Sequence, residues 1–220
     1  MIENKALQIS DLKHKYNSND FILNSVNFSI DEGEIVSLLG ASGSGKTTLL
    51  RLIAGLEVLK YGSIEIEGVT VANKKKLIPP NKRNVGLVVQ ERVLFPHLNV
   101  LKNVIFGIKA KKKEKINRGM ELLELFRVNQ YKNSYPSQLS SGEQQRVAIA
   151  RAIAPKPKIL LMDEPYGSLD KELREELRLE TKKILKENKI TCMIVTHDIG
   201  DAEALSDRIM KIENGKIQEY

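Results

Sequence analysis

The segment Gly40-Ala41-Ser42-Gly43-Ser44-Gly45-Lys46-Thr47 constrains this chain more than any other. It fits the pattern G-x-x-x-x-G-K-[ST], in which glycines let the backbone curl until successive N–H groups point at one anion. Its flanks agree. The apolar run Ile35–Leu39 leads in as a buried strand, and an apolar helix over Thr47–Gly55 leads out. The helix N-terminus adds positive potential, Lys46 is placed to reach terminal phosphates, and Thr47 to set its hydroxyl on Mg²⁺. A flexible Gly-Ser turn would not need these flanks. Alone, however, the segment says only that a nucleotide phosphate is bound.

The rest of the chain supplies the sheet this unit requires. Val85–Val89, Ile159–Met162 and Met193–Val195 are short, continuous apolar runs rich in branched residues, as in strands buried on both faces of a parallel sheet. Helical patterns lie between them, at Ile116, Met120, Leu123 and Phe126, at Val147, Ala150, Ile153 and Ala154, and at Leu173, Leu177, Ile184 and Leu185. The first third is different. Val26, Phe28 and Ile30 alternate with Asn27 and Ser29, Ile64 and Ile66 alternate between Gly62 and Gly68, and Leu7 and Ile9 begin a further strand. These predict a small antiparallel sheet. Asn214-Gly215 after Ile209 and Ile212 predicts a hairpin turn. The stretch from about Glu91 to Ala154 is almost purely helical and reads as a lobe inserted into an α/β core.

Four of the core strands end in polar groups: Gly40, Gln90, Asp163 and His197. The carboxyl ends of such strands are where α/β sheets bind ligands. Asp163 and Glu164 are adjacent, and neighbours on a strand face opposite ways, but a chain turning away at the strand's end can aim both at a nucleotide. Asp163 then suits Mg²⁺ through its water shell, and Glu164 suits orienting and deprotonating an attacking water. Gln90 could bond both Mg²⁺ and that water, and His197 could contact a γ-phosphate. Singly, Gln90 and His197 read as ordinary loop or core groups and the carboxylate pair as a strand cap; their convergence makes the case. His14 and His97 show no metal-ligand spacing and read as structural or surface residues.

Composition narrows the setting. No apolar stretch approaches the length of a membrane span, and Met1–Lys5 holds no apolar leader, so a cytosolic chain is expected, with any membrane role coming through a partner. The single cysteine, Cys192, lies in an apolar run and reads as core. The net charge of +7 suits nucleic acid, an anionic surface or phosphates. Its densest runs, Lys74–Lys76 and Lys111–Lys113, sit in polar, loop-like surroundings without interleaved aromatics, which argues against a single-strand binder.

Leu139-Ser140-Ser141-Gly142-Glu143-Gln144-Gln145-Arg146 precedes the helix Val147–Ala154. Ser140-x-x-Glu143 is a capping box, and exposed N–H groups at a helix start can bind an anion. The segment resembles the signature motif, LSGGQ, of ABC (ATP-binding cassette) ATPases. The rest follows that family in order: Gly40–Thr47 is similar to Walker A, Gln90 to the Q-loop, Asp163-Glu164 to Walker B with the catalytic glutamate, Ser168-Leu169-Asp170 to the D-loop and His197 to the switch histidine. Tyr16 stands where the family keeps an aromatic that stacks on adenine; a buried strand aromatic is the competing reading. Ser141 and Glu143 depart from the usual glycine and glutamine. The serine restricts φ, and the carboxylate would repel phosphates if it turned inward, so a working but less active signature is expected.

The resemblance implies one domain over 1–220. It has a RecA-like P-loop NTPase core at 1–90 and 155–220 with an antiparallel β subdomain and an inserted α-helical subdomain at 91–154. Many importer members of the family carry a C-terminal regulatory β domain, but the chain stops at Tyr220 directly after the Asn214-Gly215 hairpin, so no C-terminal regulatory domain is expected. It implies ATP and Mg²⁺ as cofactors. Gly40, Ala41, Ser42, Gly43, Ser44, Gly45, Lys46, Thr47, Thr48, Tyr16 and Asp170 would contact nucleotide, and Thr47, Gln90 and Asp163 would hold the metal. Ser140, Ser141, Gly142 and Glu143 would act in trans, because the family's sites form between two head-to-tail copies. It further implies a homodimer on transmembrane permease subunits at the inner face of the membrane, a substrate-binding protein in the full system, and no nucleic acid. The runs Gln90–Val100 and Asn103–Gly107 resemble ferric-iron, polyamine, sulfate and maltose importers, and Gln90–His97 together with Tyr135-Pro136 leans towards ferric iron. A soluble ABC ATPase acting on nucleic acid or ribosomes is the alternative, although no tandem domain or coiled-coil insertion appears. A P-loop kinase would leave Leu139–Arg146 unexplained.

Overall fold

A computed structural model describes residues 5–16, 21–90, 94–167 and 169–220. The continuous apolar runs become the parallel strands of a six-stranded sheet. These strands are β3 (Ile35–Leu39), β6 (Val85–Val88), β7 (Ile159–Asp163) and β8 (Cys192–Thr196), joined by β9 (Arg208–Glu213). The order is β10-β9-β3-β8-β7-β6, with β10 (Lys216–Glu219) antiparallel at one edge. The Asn214-Gly215 turn joins β9 to β10 with both residues at positive φ, 48° and 74°, as a two-residue hairpin of that twist requires.

The runs are continuous because both faces are covered, and alternate side chains enter different cores. Ile35, Leu160, Met162, Cys192 and Ile194 pack with residues of the helical segment such as Val104, Leu123, Phe126 and Val147. Val36, Leu38, Leu161, Met193 and Val195 pack with the other core, beside Ile9, Val26, Ile64 and Leu50. Cys192 is buried, and burial pushes its thiol far above the usual range, so it is the inert core residue expected.

The second core lies under a four-stranded sheet, order β2-β1-β4-β5, with β1 spanning Lys5–His14, β2 Leu23–Asp31, β4 Tyr61–Ile66 and β5 Val69–Ala72. Its three determined pairings are all antiparallel, as the alternation predicts.

The described residues also form six α-helices: α1 (Lys46–Ala54), α2 (Val100–Ile105), α3 (Lys112–Leu125), α4 (Ser141–Ile153), α5 (Lys171–Glu187) and α6 (Ile199–Leu205). Most begin on side-chain caps. Asn99 caps α2, Ser140 α4, Asp170 α5 and Asp198 α6. One expectation is corrected here. Lys111–Lys113 is not loop: Lys111 is the N-cap residue of α3 without a side-chain cap bond, and Lys112 and Lys113 open the helix. Cations in the first turn oppose the helix dipole, so local preference pointed away from a helix that packing on Leu122 and Leu123 secures. Among the described residues no helix is long and apolar enough to cross a membrane.

Helix α1 is anchored at its far end by Arg83, which is 2% exposed. Its Nη1 donates to the carbonyls of Leu52 (2.8 Å) and Ile53 (3.0 Å), and its Nε to Ile78 (2.7 Å). Gly55 caps the helix at φ +82°, and a Cβ there would lie 2.6 Å from Arg83 Nε. Arg83→Ala strips these buried carbonyls of their donors. We expect a loss of about 2–4 kcal/mol in equilibrium denaturation, with Gly55→Ala also destabilising.

Candidate functional site

The parallel register brings the polar strand ends level. Leu39 pairs with Thr196, Asp163 with Val195 and Val88 with Met162. One or two residues on, Gly40, His197, Glu164 and Gln90 therefore leave the sheet side by side. Convergence inferred from separate runs is thus a property of the fold.

The loop Gly40–Gly45 curls between β3 and α1, with Gly45 at φ +102° and packed against Ile22 and Leu23, where a Cβ would lie at 3.0 Å. It borders a cleft of about 710 Å³ whose opposite wall is Phe21, Ile22 and the hairpin Lys211–Gly215. Lys46 is 6% exposed, and its Nζ donates to the carbonyls of Gly40 (2.6 Å) and Ala41 (2.9 Å). Burial lowers its pKa, opposed by the charges of Glu164 and Asp163. Ser44 Oγ is buried without a partner among the described residues. A buried hydroxyl, a desolvated ammonium and a loop of N–H groups at a helix start fit a phosphate chain.

Thr47 Oγ1 donates to Asp163 Oδ1 at 3.2 Å. Burial raises the Asp163 carboxyl above its ordinary range, against the Thr47 hydroxyl bond. Two oxygen donors at that spacing, one a desolvated carboxylate, suit a hard divalent cation such as Mg²⁺, which would relieve that burial. Gln90 is exposed two residues past the end of β6. No set of three His, Cys, Asp or Glu residues is clustered for a metal among the described residues.

Glu164 adopts φ 44°, a left-handed conformation unusual for a side-chain-bearing residue. This breaks the strand alternation immediately after Asp163, so the two carboxylates need not face opposite ways. Strain of about 1–3 kcal/mol is typical of such positions and clusters at working sites. Its Oε1 lies 2.9 Å from His197 Nδ1, and its Oε2 accepts from Thr196 Oγ1 at 3.3 Å. The base and histidine inferred from separate strands are therefore in direct contact. Thr196 was not singled out by sequence, since only its position beside His197 hinted at it.

Tyr16 is 44% exposed and lies past the end of β1, so it is not a buried strand aromatic. Its hydroxyl is 3.2 Å from Thr48 Oγ1, and His14 packs edge-on against its ring at 4.9 Å. His14 is buried, with both ring nitrogens unpartnered among the described residues, while His97 is exposed.

Ser140–Glu143 lies elsewhere. Ser140 is exposed at the N-terminus of α4 and forms the predicted capping box, its N–H donating to Glu143 Oε2 at 2.7 Å and its Oγ accepting from Glu143 N–H at 3.4 Å. Glu143 is also bonded to Tyr131. Burial alone would raise its pKa, but the bonds from Tyr131 and Ser140 and the charge of Arg146 hold it below the usual range. The carboxylate is thus drawn into the helix cap. Ser141 is the first residue of α4 and has no positive φ, so the expected φ restriction costs nothing. A Cβ on Gly142 would lie 2.8 Å from Leu173 Cδ2, so the tip of that side chain would have to shift to admit one. Ser168 lies outside the described residues, and Asp170 caps α5 by accepting from Leu173 N–H at 3.0 Å.

A model of the ABC transporter family matches residues 23–167. This chain belongs to the ABC transporter family. Among curated ABC proteins it is similar to the Fe(3+) ions import ATP-binding protein FbpC of Haemophilus influenzae. They share 41% identity over 220 residues, covering 99% of this chain and 62% of the relative. It is also similar to the spermidine/putrescine import ATP-binding protein PotA of Roseobacter denitrificans, 46% identical over 200 residues, covering 90% of this chain and 54% of the relative. The chain thus spans less than two thirds of the length of these curated relatives. Among solved structures, it superposes on a dimeric post-hydrolysis state of the ATP-binding cassette MJ0796 bound to ADP and Pi. The TM-score is 0.82 at 32% identity, covering 97% of this chain and 98% of that one. The α/β architecture, with its parallel core and antiparallel sheet, is that of an ABC cassette.

Proposed function

We propose that this chain is the ATP-hydrolysing motor subunit of an ABC importer. The observation that carries this is the cluster at the strand ends: Lys46, Thr47 and Asp163 beside Glu164, which is held by His197 and Thr196. In this reading Gly40–Thr47 cradles the phosphates, with Lys46 giving up its loop carbonyls for them, and Thr48 and Tyr16 face the adenosine end. Mg²⁺, held by Thr47, Asp163 and Gln90, would neutralise phosphate charge during transfer. Glu164 orients the attacking water and takes its proton, and His197 turns from Glu164 to the γ-phosphate.

The lid is supplied by a second copy. Ser140 is exposed at a helix start, and Ser140 and Glu143 are bonded within their own helical segment, which supports a role in trans at the partner's phosphates. Asp170, at the start of α5, belongs to the same contact. ATP then closes a head-to-tail homodimer and hydrolysis reopens it. Cytoplasmic placement on the inner face of a membrane, through permease subunits and with a substrate-binding protein delivering cargo, follows from the importer reading. Ferric iron is the first cargo proposed, with polyamine, sulfate or another anion next; likeness to both FbpC and PotA supports this range.

Asp163→Asn tests the metal assignment. Turnover is expected to fall about 10²-fold or more at fixed Mg²⁺, with nucleotide affinity measured in chelator little changed. Undiminished turnover would remove Asp163 from the site.

A further inference from the structure

The two oxygens of Glu164 have partners of different kinds. His197, on Oε1, has a side chain 61% exposed and free to turn. Thr196, on Oε2, is fully buried at the end of β8. Its hydroxyl oxygen meets two further groups. It accepts from the Asp198 N–H at 3.1 Å and lies 3.2 Å from Asp201 Oδ2.

Asp201 is 1% exposed and paired with Arg178, and its N–H donates to Asp198 Oδ1 at 3.0 Å. Arg174 joins Asp198 at 2.9 Å to the Leu169 carbonyl at 3.3 Å, so the same cluster is fastened to the loop before α5. A threonine bonding the N–H two residues on is a common local turn. That turn accounts for the contact with Asp198. It does not account for a bond to a carboxylate 32 residues away.

A hydroxyl carries one proton, so Thr196 donates either to Glu164 or to Asp201, never to both at once. We propose that Thr196 is a positioning residue for hydrolysis: its hydroxyl anchors one oxygen of Glu164, leaving the other for the attacking water once His197 turns away, while the Asp198 N–H, donating to the Thr196 oxygen, holds that hydroxyl in place. The inference rests on reading Glu164 as the base.

The test compares Thr196→Val, which keeps the shape and removes the donor, with Thr196→Ser, which keeps the donor, in the full chain with Mg²⁺ and ATP. The valine variant is expected to lose about tenfold in kcat, the size of one charge-assisted hydrogen bond, with KM and ATP affinity within about twofold of the parent. Serine is expected to restore most of the rate. Thr196→Ala, which is smaller, makes the same comparison should the valine variant fail to fold.

An unchanged kcat, a serine variant as slow as valine, or a loss mainly in KM would overturn the proposal. Glu164→Gln in the same assay separates the two failures. If it turns over at the parent rate, the base assignment falls; if it is inactive while Thr196→Val keeps full kcat, only the positioning role falls.

Discussion

Glu164→Gln is expected to cut ATP turnover about 10²- to 10⁴-fold, the range for removing a positioned general base. Glutamine has nearly the same shape and can still face Thr196 and His197, so the loop and the nucleotide affinity should survive. What it cannot do is take a proton from water. The left-handed backbone at Glu164 shows how specific this position is: the chain accepts strain there to bring a carboxylate beside the one on Asp163. Binding would then proceed and hydrolysis would not. ATP-bound closed pairs should accumulate, seen in sizing chromatography as a species of about twice the 24.8 kDa chain. A variant that stays monomeric with ATP, or that hydrolyses at the parent rate, would count against the base assignment.

The second large effect is on binding. Lys46→Ala should weaken ATP affinity about 10- to 100-fold in nucleotide titration, the equivalent of one to two charge-assisted hydrogen bonds. Lys46 is held desolvated beside Asp163 and Glu164, with its Nζ lodged on two loop carbonyls. An ammonium in that setting gains more from an arriving phosphate than an exposed lysine would. The loop carbonyls lose a partner in the variant, so a modest fall in thermal stability is expected as well. Unchanged affinity would contradict the phosphate role.

The features legible in the sequence are those that short-range chemistry forces. A phosphate cradle needs its glycines and lysine at fixed offsets, and a strand covered on both faces must read as an unbroken apolar run, as Ile35–Leu39 and Ile159–Met162 do. The capping box at Ser140–Glu143 and the Asn214-Gly215 turn are local for the same reason. What escaped notice depends on distant residues. Arg83 reaches back to carbonyls some 30 residues earlier, and Thr196 meets Glu164 only because β7 and β8 are neighbours. Lys111–Lys113 misled because its charge disfavours the start of a helix that packing imposes further along. Glu143 and Ser141 looked like impairments when compared with a motif, whereas in the fold one completes a cap and the other starts a helix without strain.

Disulfide trapping offers the most direct test of whether the pocket is built from two copies. The one native thiol, Cys192, is buried and unreactive, so introduced cysteines report cleanly. Ala41 in the phosphate loop and Ser140 at the start of α4 are both exposed. In the doubly substituted chain Ala41→Cys, Ser140→Cys, mild oxidation with ATP and Mg²⁺ should yield a covalent dimer that does not form without nucleotide. A bond closed within single chains, or no ATP-dependent cross-link at all, would contradict the two-copy site.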